Sequence, residues 1–491
     1  MSPRSSALAG AERVGTDRER PEYASTHIPP HRRPLPLMVA DAVHRPETET
    51  TRARLSLRTR EWDIGRWPGA RAEQRERAAY LRRRTLADLE GNLARLTENI
   101  EANGGVVHRA KDAAEALAAI ERIVTRRQAQ LAVKSKSMVS EEIHLNDHLT
   151  GLGVEVVETD LGEYIVQIAD ERPAHIVAPA VHLSRTDVGR RFSAIAGRDL
   201  GDDPDDLAAF AREQLREDFR NADVGISGVN FAVAETGTLA LVTNEGNADM
   251  VTSQPPVHIA VMTLEKVVQE FADLETLLPI LSKAGANQEI TVYQTLVNGP
   301  RREGETDGPE ELHVVILDGG RSDIVGTRYE EALACIRCGA CQTACPVFGA
   351  VGGGHAYGNV YGGPIGAVIT PLLSDRPEDR DLPYLSSLCG ACGDACPVKI
   401  PLPDMLVDLR ADYQEETASP ATRAAWRAWA RTWASRAGFA ATIAGARASA
   451  VLPERVLRRL PMAGGWARGR SMPSTKDAGQ MRRRRRDGGR R

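Results

Sequence analysis

A chain of 491 residues with 42% hydrophobic and 26% charged side chains has a globular composition and room for about two to four domains. Its small net charge of −4 argues against bulk nucleic-acid binding, and no uninterrupted apolar run of about 18 residues offers a membrane span. Arg4 is followed by no apolar stretch of the kind a secretory signal carries, and aromatics are only 4% of the chain, so its cores must rest on Ala, Val, Leu and Ile.

Residues 1–70 are rich in Arg, Pro, Ser, Thr and Glu and show little periodicity, which predicts an extended or disordered segment broken at Pro29-Pro30 and Pro34-Leu35-Pro36. A helix is expected over 72–101, with Leu89, Leu93, Leu96 and Ile100 on one face. From residue 105 strands and helices alternate. Short strands are read at 105–108, 130–133, 154–157 and 175–178, with an amphipathic helix over 111–125. The small-residue turn 134–142 carries Lys134 and Lys136 at a strand end before a helix. Two strands, 231–235 and 238–243, join at Thr236-Gly237 and run into the polar turn Asn244-Glu245-Gly246-Asn247. A strand over 258–262, a helix over 263–272 and a last strand over 312–317 follow. This alternation predicts an α/β domain over 71–320, a parallel sheet with helices on both faces and ligands beyond the strand C-termini.

All seven cysteines lie between 335 and 396. Cys335, Cys338, Cys341 and Cys345-Pro346 have the Cys-x2-Cys-x2-Cys-x3-Cys-Pro spacing of bacterial ferredoxins, and Cys389, Cys392 and Cys396-Pro397 repeat its last three positions. A cubane cluster needs a soft thiolate at each of four iron corners. Two-residue gaps let three converge, and the fourth points to the other cluster, so the spacing assigns Cys335, Cys338, Cys341 and, crosswise, Cys396 to one 4Fe-4S cluster. Cys389, Cys392 and, crosswise, Cys345 go to a second. Seven ligands serve eight corners, and the missing cysteine falls on Ser386. The second cluster therefore has a non-cysteine ligand, an open iron, or only three irons (3Fe-4S). Structural zinc is the competing reading of paired Cys-x2-Cys, but zinc has no need of the Cys-x3-Cys-Pro that follows each pair. An odd cysteine count without a secretory signal disfavours disulfides.

The segment 222–247, together with Lys134–Glu142 and Glu158–Tyr164, resembles the LUD domain of lactate utilization proteins. The cysteine block resembles that of the lactate utilization protein B family, with His355-Ala356-Tyr357-Gly358, Tyr361-Gly362-Gly363-Pro364-Ile365-Gly366 and Leu382–Cys389. The match runs over about 70–410. It implies a fold of the NagB/RpiA/CoA-transferase-like type over 71–320, an α-helical ferredoxin-type domain over 325–410 that binds two iron–sulfur clusters, and a helical region with a basic disordered tail over 411–491. The resemblance also implies that a serine at position 386 is a family trait and that the seven cysteines are the cluster ligands. The implied activity is electron transfer within a cytoplasmic complex of companion lactate utilization subunits that oxidises L-lactate to pyruvate, with an acceptor such as quinone and a position at the inner face of the membrane. The alternative is an iron–sulfur enzyme acting directly on a hydroxy acid through an open cluster iron. A nucleic-acid-binding regulator using Arg482–Arg491 has no supporting motif, and no dinucleotide fingerprint, Walker loop or nucleophile elbow is present.

Other residues admit a functional and a plain reading. Glu235 is placed as a nucleophilic carboxylate or a polar turn, and Lys134 and Lys136 as an anion cradle or solvated lysines. Asn244, Glu245 and Asn247 are pocket candidates. His355 and Tyr357 lie in the glycine-rich link between the cysteine groups, as a ligand or proton carrier or as packed polar groups. Trp426, Trp429 and Trp433, interleaved with Arg423, Arg427, Arg431 and Arg436, suggest a helix packed on protein or lying on a membrane surface.

Overall fold

The computed structural model describes residues 34–61 and 65–449, which fall into two compact units, one ending at Arg410 and one beginning at Ala411. The expectations for residues 1–33 and for the Arg482–Arg491 tail lie outside the described residues.

The first unit is built on ten strands: β1 (Val106–Ala110), β2 (Leu131–Lys134), β3 (Glu155–Glu158), β4 (Val224–Gly228), β5 (Phe231–Val233), β6 (Thr238–Thr243), β7 (Val257–Thr263), β8 (Val267–Val268), β9 (Tyr293–Val297) and β10 (Glu311–Leu317). Six form a wholly parallel sheet in the order β1-β10-β7-β4-β2-β3. Its central strand β7 is buried throughout, as a parallel strand covered on both faces must be. Alternate residues feed opposite layers. Val257, Ile259 and Val261 pack under the helix Ala113–Arg127 with Ile120 and Ile123, while Ala260 and Met262 pack on the other side with Leu93, Leu96 and Ile100. A smaller sheet, β8-β5-β6-β9, is mixed. Because the large sheet is parallel, the ends of β2, β3, β4, β7 and β10 share one edge.

Four expectations change. Residues 35–61 are not extended: Leu35–Val43 and Pro46–Glu61 are helices, and the segment expected as one helix over 72–101 is two, Ala70–Leu86 and Leu89–Ala102. Leu89–Ala102 packs through its apolar stripe, whereas Pro46–Glu61 and Ala70–Leu86 also set arginines and hydroxyls on distant backbone carbonyls. Arg54 donates to Val181 O at 2.8 Å and Leu183 O at 2.6 Å, Thr59 to Thr343 O at 2.8 Å, and Arg75 to Cys396 O and Gly393 O at 2.8 Å. Segment 175–178 is not a strand. The Ile176 N–H donates to Gln342 Oε1 at 3.1 Å and the His175 ring meets Thr343 Oγ1 at 3.1 Å, so this run packs on the cysteine region instead of the sheet. The helix expected over 263–272 is a turn, Leu264–Lys266, then β8, and the helix begins at Leu274.

One buried charge network ties five segments together at the carboxyl edge of the large sheet. Arg321, following β10, grips Glu142 through two bonds of 2.9 and 2.7 Å and pairs through Nε with Glu265 at 3.2 Å. Arg337, between Cys335 and Cys338, donates to the other oxygen of Glu265 at 3.0 Å and lies 4.5 Å over the Tyr361 ring. The Tyr361 hydroxyl donates to Glu142. Arg82 is 1% exposed and donates to Val267 O at 2.8 Å, to Ala334 O at 3.3 Å and to the Glu265 carbonyl.

The second unit contains the helices Pro420–Ala434 and Arg436–Ser449. Ser419 caps the first by accepting from Thr422 N. Trp426, Trp429, Trp433 and Phe439 form a continuous aromatic stack, with centroid spacings of 5.6, 5.2 and 5.3 Å, and all four are exposed. No helix among the described residues is long and apolar enough to cross a membrane.

Burial alone would raise the Glu265 carboxyl, but Arg321 and then Arg337 outweigh it and hold it at about 2, against an ordinary 4.5. Glu265→Gln leaves Arg337 without its carboxylate and Arg321 with Glu142 alone, and is expected to lower stability by about 3–5 kcal/mol, read from the midpoint of denaturant unfolding. Because the folded-state value is the lower one, this stabilisation is full above the ordinary value and is lost as pH falls from there toward about 2. The acid limb of the wild-type stability curve should therefore be steeper than that of Glu265→Gln.

Candidate metal centre

The two cysteine loops are local copies of one another. Each reads Cys-Gly-Ala-Cys, at 338–341 and at 389–392. Each has a left-handed residue before its first cysteine, Arg337 at φ +59 and Leu388 at φ +54, and a left-handed glycine after it, Gly339 at φ +73 and Gly390 at φ +88. Such a residue other than glycine costs about 1–2 kcal/mol and persists where the surroundings require it. Short helices follow, Ala340–Ala344 and Ala391–Ala395, and end at Cys345 and Cys396 with nearly equal backbone angles (φ −83, ψ 116 and φ −69, ψ 117). The copy extends one position further. Arg337 N donates to Cys335 Sγ at 3.4 Å, and Leu388 N donates to Ser386 Oγ at 3.1 Å. Ser386 thus occupies the same place in its loop as Cys335 does in the other.

The sulfur atoms fall into two sets by their mutual repulsion. Burial raises the Cys338 and Cys341 thiols far above the ordinary range, and Cys335 and Cys396 raise both further. Cys396 itself is pushed up to about 11 by burial, with Cys335 adding. Cys392 is pushed up to about 12 by burial, with Cys345 and then Cys389 adding, and Cys345 is raised by burial and by Cys389. The loops therefore exchange their last cysteines: Cys396 lies with the first set and Cys345 with the second. Cys335, Cys338, Cys341 and Cys396 line one small cavity whose other walls are largely apolar, among them Ile176, Ile365, Val398 and Ile400. Thiolates crowded in such a place are stable only when a positive group lies among them, and cysteine sulfur selects soft transition metals. Backbone donors already point at the sulfurs: Phe348 N reaches Cys345 Sγ at 3.4 Å and Ile400 N reaches Cys396 Sγ at 3.3 Å. Among the described residues no three His, Cys, Asp or Glu side chains close on one point tightly enough for a single ion.

The sets differ in their surroundings. Cys338, Cys341, Cys392 and Cys396 are buried, Cys335 and Cys345 are partly so, and Cys389 is exposed, next to the exposed Leu388. Arg82 and Lys266 both feel the Cys335 charge, and Arg337 feels it most strongly of its charged neighbours, so cations gather around the first set. Burial, then Cys345, Cys341 and Cys392, raise the Tyr357 hydroxyl well above its ordinary range, so it lies within electrostatic reach of both sets. That hydroxyl is buried and has no hydrogen-bond partner among the described residues.

The remaining candidates divide. Lys134 is not a free cradle: it is 1% exposed, pairs with Glu158 at 2.7 Å and bonds Ser140 Oγ at 3.1 Å. Lys136 pairs with Glu163 at 3.1 Å and lines a cavity of about 310 Å³ at the carboxyl edge of the sheet, which Asn244, Glu245 and Asn247 also line. Glu235 is exposed and accepts from Phe271 N at 2.9 Å, which fits a turn brace. His355 donates to Arg172 O at 2.6 Å and packs on His182 at 4.8 Å, and burial, then His182, lowers it to about 4. Nothing in these contacts brings it to the cysteines. Sequence reasoning missed Arg337, Glu265, Lys266 and Arg321. The available signal was an arginine inside a ligand loop, since a cation beside four thiolates is seldom idle.

A family model described as the LUD domain matches residues 93–317, and one described as a 4Fe-4S dicluster domain matches 331–400. Curated relatives carry the name lactate utilization protein B. That of Shouchella clausii is 49% identical over 345 residues, covering 70% of this chain and 72% of that protein. That of Oceanobacillus iheyensis is 48% identical over 333 residues (68% and 69%), and that of Anoxybacillus flavithermus 48% over 340 residues (69% and 72%). The cysteine region is therefore an iron–sulfur domain rather than a zinc site. With its LUD domain followed by a 4Fe-4S dicluster domain, the chain belongs to the lactate utilization protein B family.

Proposed function

We propose that the chain is the electron-transfer component of an assembly that oxidises L-lactate to pyruvate, working with companion lactate utilization subunits and passing electrons to an acceptor such as quinone. Cys335, Cys338, Cys341 and Cys396 hold one 4Fe-4S cluster. Cys389, Cys392 and Cys345 hold the second, whose remaining corner faces Ser386. The observation that supports this reading is that Cys396 lines one cavity with Cys335, Cys338 and Cys341 while Cys345 acts on Cys392, with the Tyr357 hydroxyl within electrostatic reach of both sets. When bound, such clusters take up and pass on single electrons. The chain's own residues do the rest. Ile176, Ile365 and Ile400 keep water from the first set, backbone N–H groups and cations steady its charge, and the exposed Cys389 leaves the second set open to a partner. The α/β part fits a NagB/RpiA/CoA-transferase-like architecture, and the cysteine part fits a helical ferredoxin arrangement.

The names of the relatives support the lactate role, and the absence of a spanning helix among the described residues agrees with a subunit that meets any membrane acceptor from its surface. Protein purified without air should contain about eight irons with matching sulfide, or about seven where the second cluster lacks a corner. Zinc without sulfide would refute the reading. L-lactate should bleach the cluster absorbance only after companion proteins are added.

The unpaired Tyr357 hydroxyl is placed to donate to a cluster sulfur, and such donors raise a cluster's potential. Tyr357→Phe should therefore keep the iron content while lowering one midpoint potential in a redox titration followed by paramagnetic resonance.

A further inference from the structure

The cavity of about 310 Å³ lies where ligands of parallel sheets collect, between the ends of β2, β4 and β7 and the loop carrying Cys338. Its volume is that of about ten water molecules, enough for a small organic acid with some of its hydration. Val229, Leu241 and Met262 give it apolar wall, and Lys136, Lys266 and Arg337 give it charge.

The three cations are not equivalent. Lys136 has a carboxylate of its own, the ion pair with Glu163 at 3.1 Å, although its Nζ makes no well-formed hydrogen bond among the described residues. Arg337 spends one amino group on Glu265 and leaves the other, Nη1, buried without a hydrogen-bond partner among the described residues. Lys266 makes no hydrogen bond or ion pair among the described residues. The groups acting on it are Arg337, Glu265, Cys335 and Arg82, of which two repel it. Burial and then Arg337 lower its ammonium to about 8, so the site holds a cation under strain that an arriving anion would relieve. Asp160 and Glu245 also line the cavity, but they act on each other and on Lys136, not on Lys266. The cationic end is therefore the end beside Cys338. Glu265 is taken up by Arg321 and Arg337 and does not fill the role of partner.

We propose that this cavity binds a short-chain 2-hydroxy or 2-oxo carboxylate, with Lys266 and Arg337 receiving the carboxylate beside Cys338. The choice of acid rests on the lactate reading above; the anion site itself rests on the cavity and its unpaired cations. An acid held there lies beside Cys338 of the first sulfur set, whereas the exposed Cys389 belongs to the other set.

The test is calorimetric titration of the full, cluster-loaded chain, kept free of air, with L-lactate, pyruvate and acetate. Saturable binding of L-lactate or pyruvate is expected, with acetate weaker. Lys266→Met should weaken it by about tenfold or more and Lys266→Arg by much less, since one charge-assisted contact is worth about that much. Lys111→Met, at an exposed lysine outside the cavity, should change nothing. Acetylation of Lys266 in the wild-type chain, followed by mass spectrometry, should slow when pyruvate is present, a reading that needs no variant to fold. The proposal is overturned when neither acid binds, when Lys266→Met binds as wild type does, or when pyruvate leaves the acetylation rate unchanged. Any of these with full iron and sulfide leaves electron transfer standing, whereas missing sulfide with intact acid binding fails that reading and spares this one.

Discussion

The pairing of Glu265 with Arg321 and Arg337 is the constraint on which the first unit depends. Its three members come from the end of β7, the turn after β10 and the interior of the first cysteine loop. A carboxylate without exposed surface is tolerable only with such partners, and two guanidinium groups in the same place are tolerable only with it. The network therefore admits one arrangement of sheet and cysteine loop. Glu142 and Tyr361 extend it to the short helix after β2 and to the glycine-rich link, so the carboxyl edge of the sheet is tied to the first cysteine loop.

The same network brings Arg337, Arg82 and Lys266 around the first sulfur set. Arg337 must sit inside the loop to reach Glu265, and in doing so it lies over Tyr361 and against Cys335. Its left-handed backbone is shared with Leu388 of the second loop, where no such partner exists and the side chain is exposed. One backbone turn has thus been dressed twice, once for a dry, cationic interior and once for the surface.

Much of the sheet was legible because its strands are uninterrupted apolar runs bounded by turns, as at Val257–Thr263 and Glu311–Leu317. The cysteine spacing made the two loops and the place of Ser386 legible as well. The helices over 35–61 were not, because arginines and threonines that bind carbonyls look in sequence like a solvated, disordered segment; Arg54 and Thr59 show the difference only when their partners are known. The run His175-Ile176-Val177 misled for a related reason. It is apolar because it packs on Gly339, where an added Cβ would lie 2.6 Å from Ile176, and not because it joins a sheet. Buried ion pairs such as Lys134 with Glu158 leave no pattern in one sequence, so a paired lysine and the unpaired Lys266 looked alike there.

The swap of Cys345 and Cys396 carries a consequence for biogenesis. Neither sulfur set can be completed by one loop, since each borrows a member from the far side of the glycine-rich link. On the proposed ligand assignment, a ribosome must release both loops, and the chain must close the link between them, before either cluster could be fully wrapped. Under that assignment metal insertion would be a late event that reports on a finished fold, and a nascent chain halted between the loops would hold only incomplete half-sites.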